Sequence, residues 1–414
     1  MPPESSPAGA PGPTDHAAPG MAPTPLTDHE IALVRAGLTV VEPYAADLTV
    51  YFYTILFARY PQVRELFPDD MDVQRDRLLR GLLRIVDLVG DPENLVRFCT
   101  LLGRDHRKFG ALEAHYPAVG ECLLASLARY AGAAWTPDVE AAWTRAYTTA
   151  ARVMILAAAD DTRLRPATWA AQIVRHEHRG HGIAEITVRT ETPYPYEAGQ
   201  YVSMQTPWQR KAWRQYSPAN APRADSTLTF HIRAVPGGRV SNALVHRAAP
   251  GDIVTLGPPQ GDMTLAAAGD RDLVCVAGGT GLAPIRALLE QAALGDMRRY
   301  VDLFVGARTA EELYGLDDML RMAQRQHWLS VRAAVSHQHI AGREGTLPQV
   351  LREFGPWGQH EAFLCGPPGM VTAAARILRN EGVPAARIHH DPLSDPVLTT
   401  PLAPSRHEPE SEYL

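Results

Sequence analysis

The sequence predicts three domains in series: an all-α domain, a small antiparallel β-barrel and an α/β doubly wound domain. Three observations carry this expectation. Hydrophobic residues recur at helical spacing from about residue 26 to residue 160, without a strand pattern. The period then falls to two, in short runs separated by Gly and Pro. After Gly269 strand and helix patterns alternate, which is the signature of a parallel sheet with helices on its faces. A length of 414 residues suits several domains of ~100–200 residues each.

Composition narrows the function classes. Hydrophobic residues make up 45% and charged residues 21%, the proportions of a folded chain rather than a disordered one. A formal net charge of −6 argues against nucleic acid or an anionic membrane as the main partner. Among 40 basic residues only Lys108 and Lys211 are lysine, which codon bias in a GC-rich genome accounts for. Cys99, Cys122, Cys275 and Cys365 stand too far apart for a zinc or dithiol motif. They read as buried or site-lining thiols of a reducing compartment. No apolar stretch approaches the ~20 residues of a membrane span. The N-terminus has neither the basic start nor the apolar core of a signal peptide, so a cytoplasmic location is expected.

Eight of the first 25 residues are proline, and residues 1–25 are expected to be a disordered tail. Thr27-Asp28-His29-Glu30 is a capping-box pattern ahead of an apolar run. Ile31, Val34, Leu38 and Val41 then form one helical stripe, and Leu78, Leu79, Leu82, Ile85, Val86 and Val89 a second. Thr136-Pro137-Asp138 opens a further helix, with Val139, Trp143, Ala146, Ala150 and Val153 on one face. The segment Asp160 to Pro166 is polar, ends in proline and is expected to be a linker. Leu228, Phe230, Ile232 and Ala234 alternate with Thr229, His231 and Arg233, as in a half-buried strand of a barrel over residues 167–266. Strand candidates at 273–277, 301–306, 331–336, 362–365 and 387–389 alternate with helical stretches such as 284–293 and 370–379, giving an α/β domain over 270–395. Residues 396–414 are expected to be a second loose tail.

Several segments carry chemistry. Cys275-Val276-Ala277-Gly278-Gly279-Thr280-Gly281-Leu282-Ala283-Pro284 follows a strand and opens a helix, so glycine lets the backbone approach a pyrophosphate at a helix N-terminus. Phe363-Leu364-Cys365-Gly366-Pro367-Pro368 is a second strand stopping at a turn, expected on the same sheet edge, where α/β ligands bind. In Arg214-Gln215-Tyr216-Ser217 the first and third residues share one face of an extended chain. A guanidinium there suits phosphate and a ring suits a flat cofactor. Gly237-Gly238-Arg239-Val240-Ser241 precedes a helical run over 242–248, so Ser241 or a neighbour is expected to cap a helix facing a second phosphate. The alternative is a hairpin turn with an ordinary cap. Arg308, after the strand at 301–306, stands where an arginine can meet a 2′-phosphate or be a plain surface residue. Leu95, Phe98, Cys99, Leu102, His106 and Phe109 share one helical face. A histidine on such a stripe is more often a hydrogen-bonded core residue than a metal ligand.

In this order and spacing, the four motifs RQYS, GGRVS, GGTGLAP and CGPP resemble the ferredoxin–NADP reductase-like flavoprotein modules, over residues 167–395. The resemblance implies FAD held by Arg214 on phosphate, Tyr216 on the flavin ring and Ser217 near the reactive nitrogen, with Gln215 between them. Tyr201, in Gly199-Gln200-Tyr201, would be a further flavin contact, and Gly238, Val240 and Ser241 would complete the FAD set. NADH or NADPH would bind at Gly279, Thr280, Gly281, Leu282, Ala283 and Pro284 and at Cys365, Gly366 and Pro367. Asp391 matches the acidic position of the C-terminal motif.

The helical region carries Tyr51-Phe52-Tyr53, Leu56-Phe57, Arg64-Glu65-Leu66-Phe67-Pro68, Gln74, Leu78 and, 32 residues beyond Gln74, His106. This run resembles the globin domain of flavohaemoglobins over residues 26–160, and the reductase module behind it completes that architecture. The resemblance implies haem b, with His106 as the proximal ligand through a neutral imidazole nitrogen. Tyr53 would donate its phenolic hydrogen to iron-bound oxygen with Gln74 behind it, Phe67 would pack on the haem, and Leu78 would shape the distal pocket. Tyr116 would support the proximal histidine. The implied activity is nitric oxide dioxygenase: NAD(P)H reduces FAD, FAD reduces the haem iron, and the oxygen-bearing ferrous haem converts NO and O2 to nitrate. O2 and NO are then the partners. Three positions depart from the family: Ala158 stands near its glutamate, Asp105 replaces a common lysine, and Leu393 replaces an aromatic residue. They leave open a divergent haem/flavin oxidoreductase linked to NAD(P)H or an organic donor, or an O2/NO sensor or store.

Overall fold

The structure is a computed structural model that describes residues 25–295, 299–336 and 347–391. Leu393 and both expected tails, apart from Pro25, lie outside the described residues. The fold class is the one the sequence predicts. Among the described residues six α-helices come first: α1 (Asp28–Val41), α2 (Ala45–Arg59), α3 (Asp72–Leu88), α4 (Pro92–His106), α5 (Tyr116–Ala131) and α6 (Pro137–Leu164). The capping box forms as expected, with the Glu30 N–H donating to the Thr27 hydroxyl and the Thr27 N–H donating to the Glu30 carboxylate. At the start of α6 the Thr136 hydroxyl accepts the Val139 N–H.

The chain divides into two compact units. The first takes in the described parts of Met1–Gln62, Gly81–Arg107 and Leu112–Leu164. Within it α6 is the common neighbour, because glycines let other helices close onto it. A Cβ on Gly37 of α1 would stand 2.6 Å from Trp143 Nε1, one on Gly103 of α4 would stand 2.6 Å from Met154 Cα, and one on Gly120 of α5 would stand 2.9 Å from Tyr147 Cδ1. Leu88, Leu95, Cys99, Ala150, Val153 and Met154 form an apolar cluster there.

Two expectations change. The segment expected as a linker continues α6 to Leu164, because Asp161 is buried and paired with Arg107 and, at 3.9 Å, with Arg104. A carboxylate withdrawn from water needs such partners, and they tie the polar stretch to the helix. The connection to the next strand is therefore only residues 165–168. Phe109, expected on the face of α4, lies beyond its end in a 3-10 turn, Arg107–Phe109.

The second unit takes in Val63–Arg80, Lys108–Ala111 and the described residues from Arg165 onward. Strands β1 (Trp169–His178), β2 (Ile183–Thr190), β3 (Tyr201–Thr206), β4 (Gln209–Tyr216), β5 (Thr227–Arg233) and β6 (Ile253–Gln260) form an antiparallel sheet in the order β4-β3-β6-β1-β2-β5. The sheet curls until Pro218, just past one edge strand, bridges Phe230 on the other. Helix α7 (Arg239–His246) precedes β6 and starts three residues earlier than expected.

The doubly wound part follows: β7 (Leu273–Gly278), α8 (Leu282–Leu294), β8 (Val301–Ala307), α9 (Leu316–Arg325), β9 (Leu329–Val335), α10 (Leu347–Glu353), β10 (Glu361–Cys365), α11 (Pro368–Asn380) and β11 (Ile388–His390). Its sheet is parallel, in the order β11-β10-β7-β8-β9, with β7 central and fully buried. The curled sheet and the parallel sheet share apolar contacts, since Ala198 and Met263 pack with Ile285 and Leu288. No described helix is long and apolar enough to cross a membrane.

Candidate functional site

The parallel sheet brings two of the motif turns together. β7 and β10 are neighbours with Ala277 opposite Cys365, so both turns leave the same edge. They are pressed close: a Cβ on Gly281 would lie 2.5 Å from the Cys365 carbonyl oxygen and 2.6 Å from the Gly366 nitrogen. Met370, one turn into α11, packs its sulfur against Gly278. Gly279 has φ +54, a left-handed conformation that only glycine takes without cost. Gly279, Thr280 and Gly281 form a 3-10 turn into α8, and Thr280 is half-buried. The side chains of Leu282, Ala283 and Pro284 point into the core, so any contact they make with a nucleotide is through backbone. Gly366 and Pro367 lead into α11, with Pro367 at its N-cap.

The RQYS segment ends β4. Arg214 and Gln215 are exposed, while Tyr216 and Ser217 are half-buried. The Arg214 guanidinium donates to the Trp213 carbonyl at 2.8 Å, and burial pushes the Tyr216 phenol well up. The Ser217 hydroxyl bonds to Asp391, whose pKa is pushed up to about 7, chiefly by burial and further by Asp262, against the Ser217 bond. A Cβ on Gly261 would stand 3.0 Å from the Tyr201 ring and 3.3 Å from Asp391 Oδ1, so ring, glycine and carboxylate are adjacent. Gln200 fastens that glycine through a 3.2 Å bond to its carbonyl. The Cys365 thiol is raised by burial and then by the charge of Asp391. Tyr201, Ser217, Cys365 and Asp391, from four separate stretches of sequence, thus form one cluster at the sheet edge.

The cap expected from Ser241 is not observed. Gly238 takes the N-cap of α7, where a Cβ would lie 2.5 Å from Ser241 Oγ, so the serine falls inside the first turn. Its hydroxyl donates to the Gly238 carbonyl at 3.2 Å and accepts the Val235 N–H at 3.4 Å. Val240 is buried in the barrel core.

Two residues of this region belong to no motif. Arg233, the last residue of β5, brings a guanidinium nitrogen within 3.3 Å of a Cβ built on Gly279. Strand alternation is its only sequence signal. Glu312 grips Arg308 from four residues on, with side-chain bonds at 2.5 and 3.1 Å.

In the first unit, His106 ends α4 with Nδ1 2.8 Å from the Leu102 carbonyl oxygen. A carbonyl only accepts, so Nδ1 carries a proton, and in the neutral imidazole the lone pair is then on Nε2, the tautomer that an iron ligand needs. The residues therefore fit a haem. Ala158 is half-buried and contributes no carboxylate, and the nearby acid Asp161 is held by Arg107. Asp105 is itself buried. Tyr116 opens α5 and packs into the same cluster as Leu102 and Cys99; burial raises its phenol to about 12. Tyr53, on α2, is buried between Phe52 and Phe57, with ring centroids at 4.8 and 5.7 Å. In the second unit, Phe67 is half-buried in a turn that Arg64 ties down by bonds of 3.0 Å to the Phe67 and Pro68 carbonyls. Gln74 and Leu78 are half-buried one turn apart on α3.

Residues 50–154 match the globin family, residues 170–265 the oxidoreductase FAD-binding domain and residues 275–376 the oxidoreductase NAD-binding domain. A flavohemoprotein of Bordetella pertussis is 29% identical over 390 residues, which span 86% of this chain and 96% of that one. The xylene/toluene monooxygenase electron transfer component of Pseudomonas putida is 34% identical over 225 residues, 53% of this chain and 64% of its own length. The crystal structure of flavohemoglobin from Malassezia yamatoensis with bound FAD and heme shares the fold, with a TM-score of 0.75 at 20% identity over 88% of this chain and 99% of that chain. Fold and site together define an NAD(P)H-dependent oxidoreductase that joins a haem-binding globin to FAD- and NAD-binding domains. The chain thus carries the domain combination of the flavohemoproteins it is similar to.

Proposed function

We propose that the protein is a nitric oxide dioxygenase, which spends electrons from NADH or NADPH on converting O2 and NO to nitrate. The observation that carries the reading is His106, whose Nδ1 is committed to the Leu102 carbonyl. When bound, FAD accepts hydride from the nicotinamide and the haem, reduced one electron at a time, supplies the centre where O2 and NO combine. His106 would hold the iron through Nε2. Tyr53, buried among aromatic rings, would present its phenolic O–H to a small gaseous ligand, and Gln74 would keep the supporting role that the family resemblance implies. Phe67 and Leu78 would exclude water, and Tyr116 would steady α4 by packing. Arg214 and the start of α7, at Gly238, Val240 and Ser241, would hold the FAD phosphates, and Tyr216 and Tyr201 its ring, with Gln215 at its edge. The turns at Gly279–Gly281 and Cys365–Pro367 would hold the nicotinamide nucleotide. The Ser217 hydroxyl hydrogen-bonds to Asp391 beside them.

Rapid mixing of NO with the reduced holoprotein in oxygenated buffer tests the reading. Nitrate is expected within milliseconds, with matching oxidation of NAD(P)H. Nitrate appearing no faster than in protein-free buffer overturns it. One observation favours a second reading, an oxidoreductase that serves a different electron partner: the Nδ1 acceptor is a neutral carbonyl, which raises ligand basicity less than a carboxylate does. In that case the flavin is reduced promptly while the haem stays ferric under anaerobic NAD(P)H.

A further inference from the structure

The end of β8 carries an arginine and an acid with opposite preferences for the adenosine ribose. In open α/β sheets a dinucleotide lies across the carboxyl ends of adjacent strands. An acid at the end of the neighbouring strand suits a ribose 2′-OH, while an arginine there suits a 2′-phosphate. β8 is the strand beside β7, which carries the Gly279 turn, and Arg308 is the first residue after it. Taken alone, Arg308 would suit NADPH.

Glu312 cancels that preference. Its Oε1 accepts from Arg308 Nη2 at 2.5 Å, and its Oε2 accepts from Nε at 3.1 Å and from the Arg308 backbone N–H at 3.3 Å. Both carboxylate oxygens are thus spent on one guanidinium, in the forked geometry that makes such pairs strong. Glu312 also lines a cavity of about 340 Å³ together with Arg233, Leu282 and Tyr314. Arg233 is the residue whose guanidinium reaches the Gly279 turn, so the carboxylate faces the nucleotide side of β8. The Arg308 bonds, and then the Arg233 charge, keep Glu312 ionised by lowering its pKa.

We propose that Glu312 makes the nucleotide site selective for NADH, by occupying Arg308 and placing a carboxylate where the 2′-phosphate of NADPH would lie. This rests on the reading that the nucleotide binds over the Gly279 turn. A second negative charge beside a phosphate is repulsive, and solvent around Arg308 screens part of that repulsion. A preference of about tenfold or more in kcat/KM is expected.

Flavin bleaching in the holoprotein, followed with NADH and with NADPH, tests the proposal. Wild type is expected to favour NADH by about tenfold or more. Glu312→Gln keeps the shape and removes the charge. It should shift the NADPH-to-NADH ratio towards NADPH by about tenfold, mostly through KM, with Glu312→Ala as a second variant. Arg308→Ala should move the ratio little by itself and erase the gain when combined with Glu312→Gln, because the released guanidinium carries it. Flavin absorbance confirms that each variant is loaded. Equal use of both nucleotides by wild type, or an unchanged ratio in a flavin-loaded Glu312→Gln, overturns the proposal. A wild-type flavin reduced by neither nucleotide overturns the reading of the site itself, and the proposal with it.

Discussion

Asp391 is a carboxyl group placed where its ordinary ionisation is opposed. Burial raises its pKa to about 7, and Ser217 opposes this only in part. In the unfolded chain the group ionises in the usual carboxylate range, so between that range and pH 7 the folded state retains a proton that the unfolded state gives up. The stability contribution is therefore complete in acid and is lost as pH rises to about 7. Asp391→Asn cannot ionise. Urea midpoints of wild type and variant, compared from pH 5 to 8, should show the wild type losing ground as pH rises; parallel curves would contradict the assignment. Asp391 and Ser217 were legible in the sequence because each sits in a motif. The partner of His106 was not, since a backbone carbonyl at Leu102 carries no residue-type signal. Arg233 and Glu312 were missed for a related reason: Arg233's place beside the Gly279 turn, and Glu312's in the cavity it shares with Arg233, depend on strand order rather than local pattern. Ser241 misled because serine is a good cap, yet the preceding glycine took that position and left the hydroxyl one turn too late.

At the scale of elements, helical periodicity gave the apolar stripes correctly but not the closeness of the helices. Gly103 reads as an unremarkable helical glycine until α6 is in place. A Cβ there would lie 2.6 Å from Met154 Cα and nearer still to its carbonyl, and these are backbone atoms that cannot swing aside. Gly103→Ala should therefore force α4 away from α6. Overpacking of this kind costs about 1–3 kcal/mol, against a helix-propensity gain of at most ~1 kcal/mol for Ala over Gly. His106 lies three residues further on, so the displacement should also lower haem occupancy, read as the ratio of Soret to protein absorbance. Gly369→Ala on α11 is the control, because a Cβ there meets nothing within 4 Å. It should leave haem content alone. A Gly103→Ala protein with wild-type midpoint and occupancy would show that α4 adjusts freely. The end of α6 was misread for the opposite reason. Asp160 to Leu164 is polar enough for a linker, and Arg107 and Arg104, far away in sequence, make Asp161 a buried helical residue.

For the whole molecule, domain order was legible because the hydrophobic period changes twice, and those changes reflect which faces each element buries. Less legible was that residues 63–80 and 108–111 group with the second unit rather than with the rest of the expected helical block. The grouping still leaves His106, the proposed iron ligand, in one unit and the residues proposed for flavin and nucleotide in the other. His106 belongs to the first unit, whereas Tyr201, Ser217, Gly279, Cys365 and Asp391 all belong to the second. Changes at sites that share no partners usually add independently, to within about twofold in rate. His106→Ala should then abolish the Soret band and nitrate formation, since no other residue is assigned to the iron. The same protein should retain FAD absorbance and bleach its flavin with NADH at a rate within about twofold of wild type. The reciprocal change, Arg214→Ala, removes the proposed phosphate contact and should lower FAD content while the Soret band persists. Loss of flavin reduction in a His106→Ala protein that still contains FAD would mean that the haem site governs the reductase, and the independence of the two sites would be wrong.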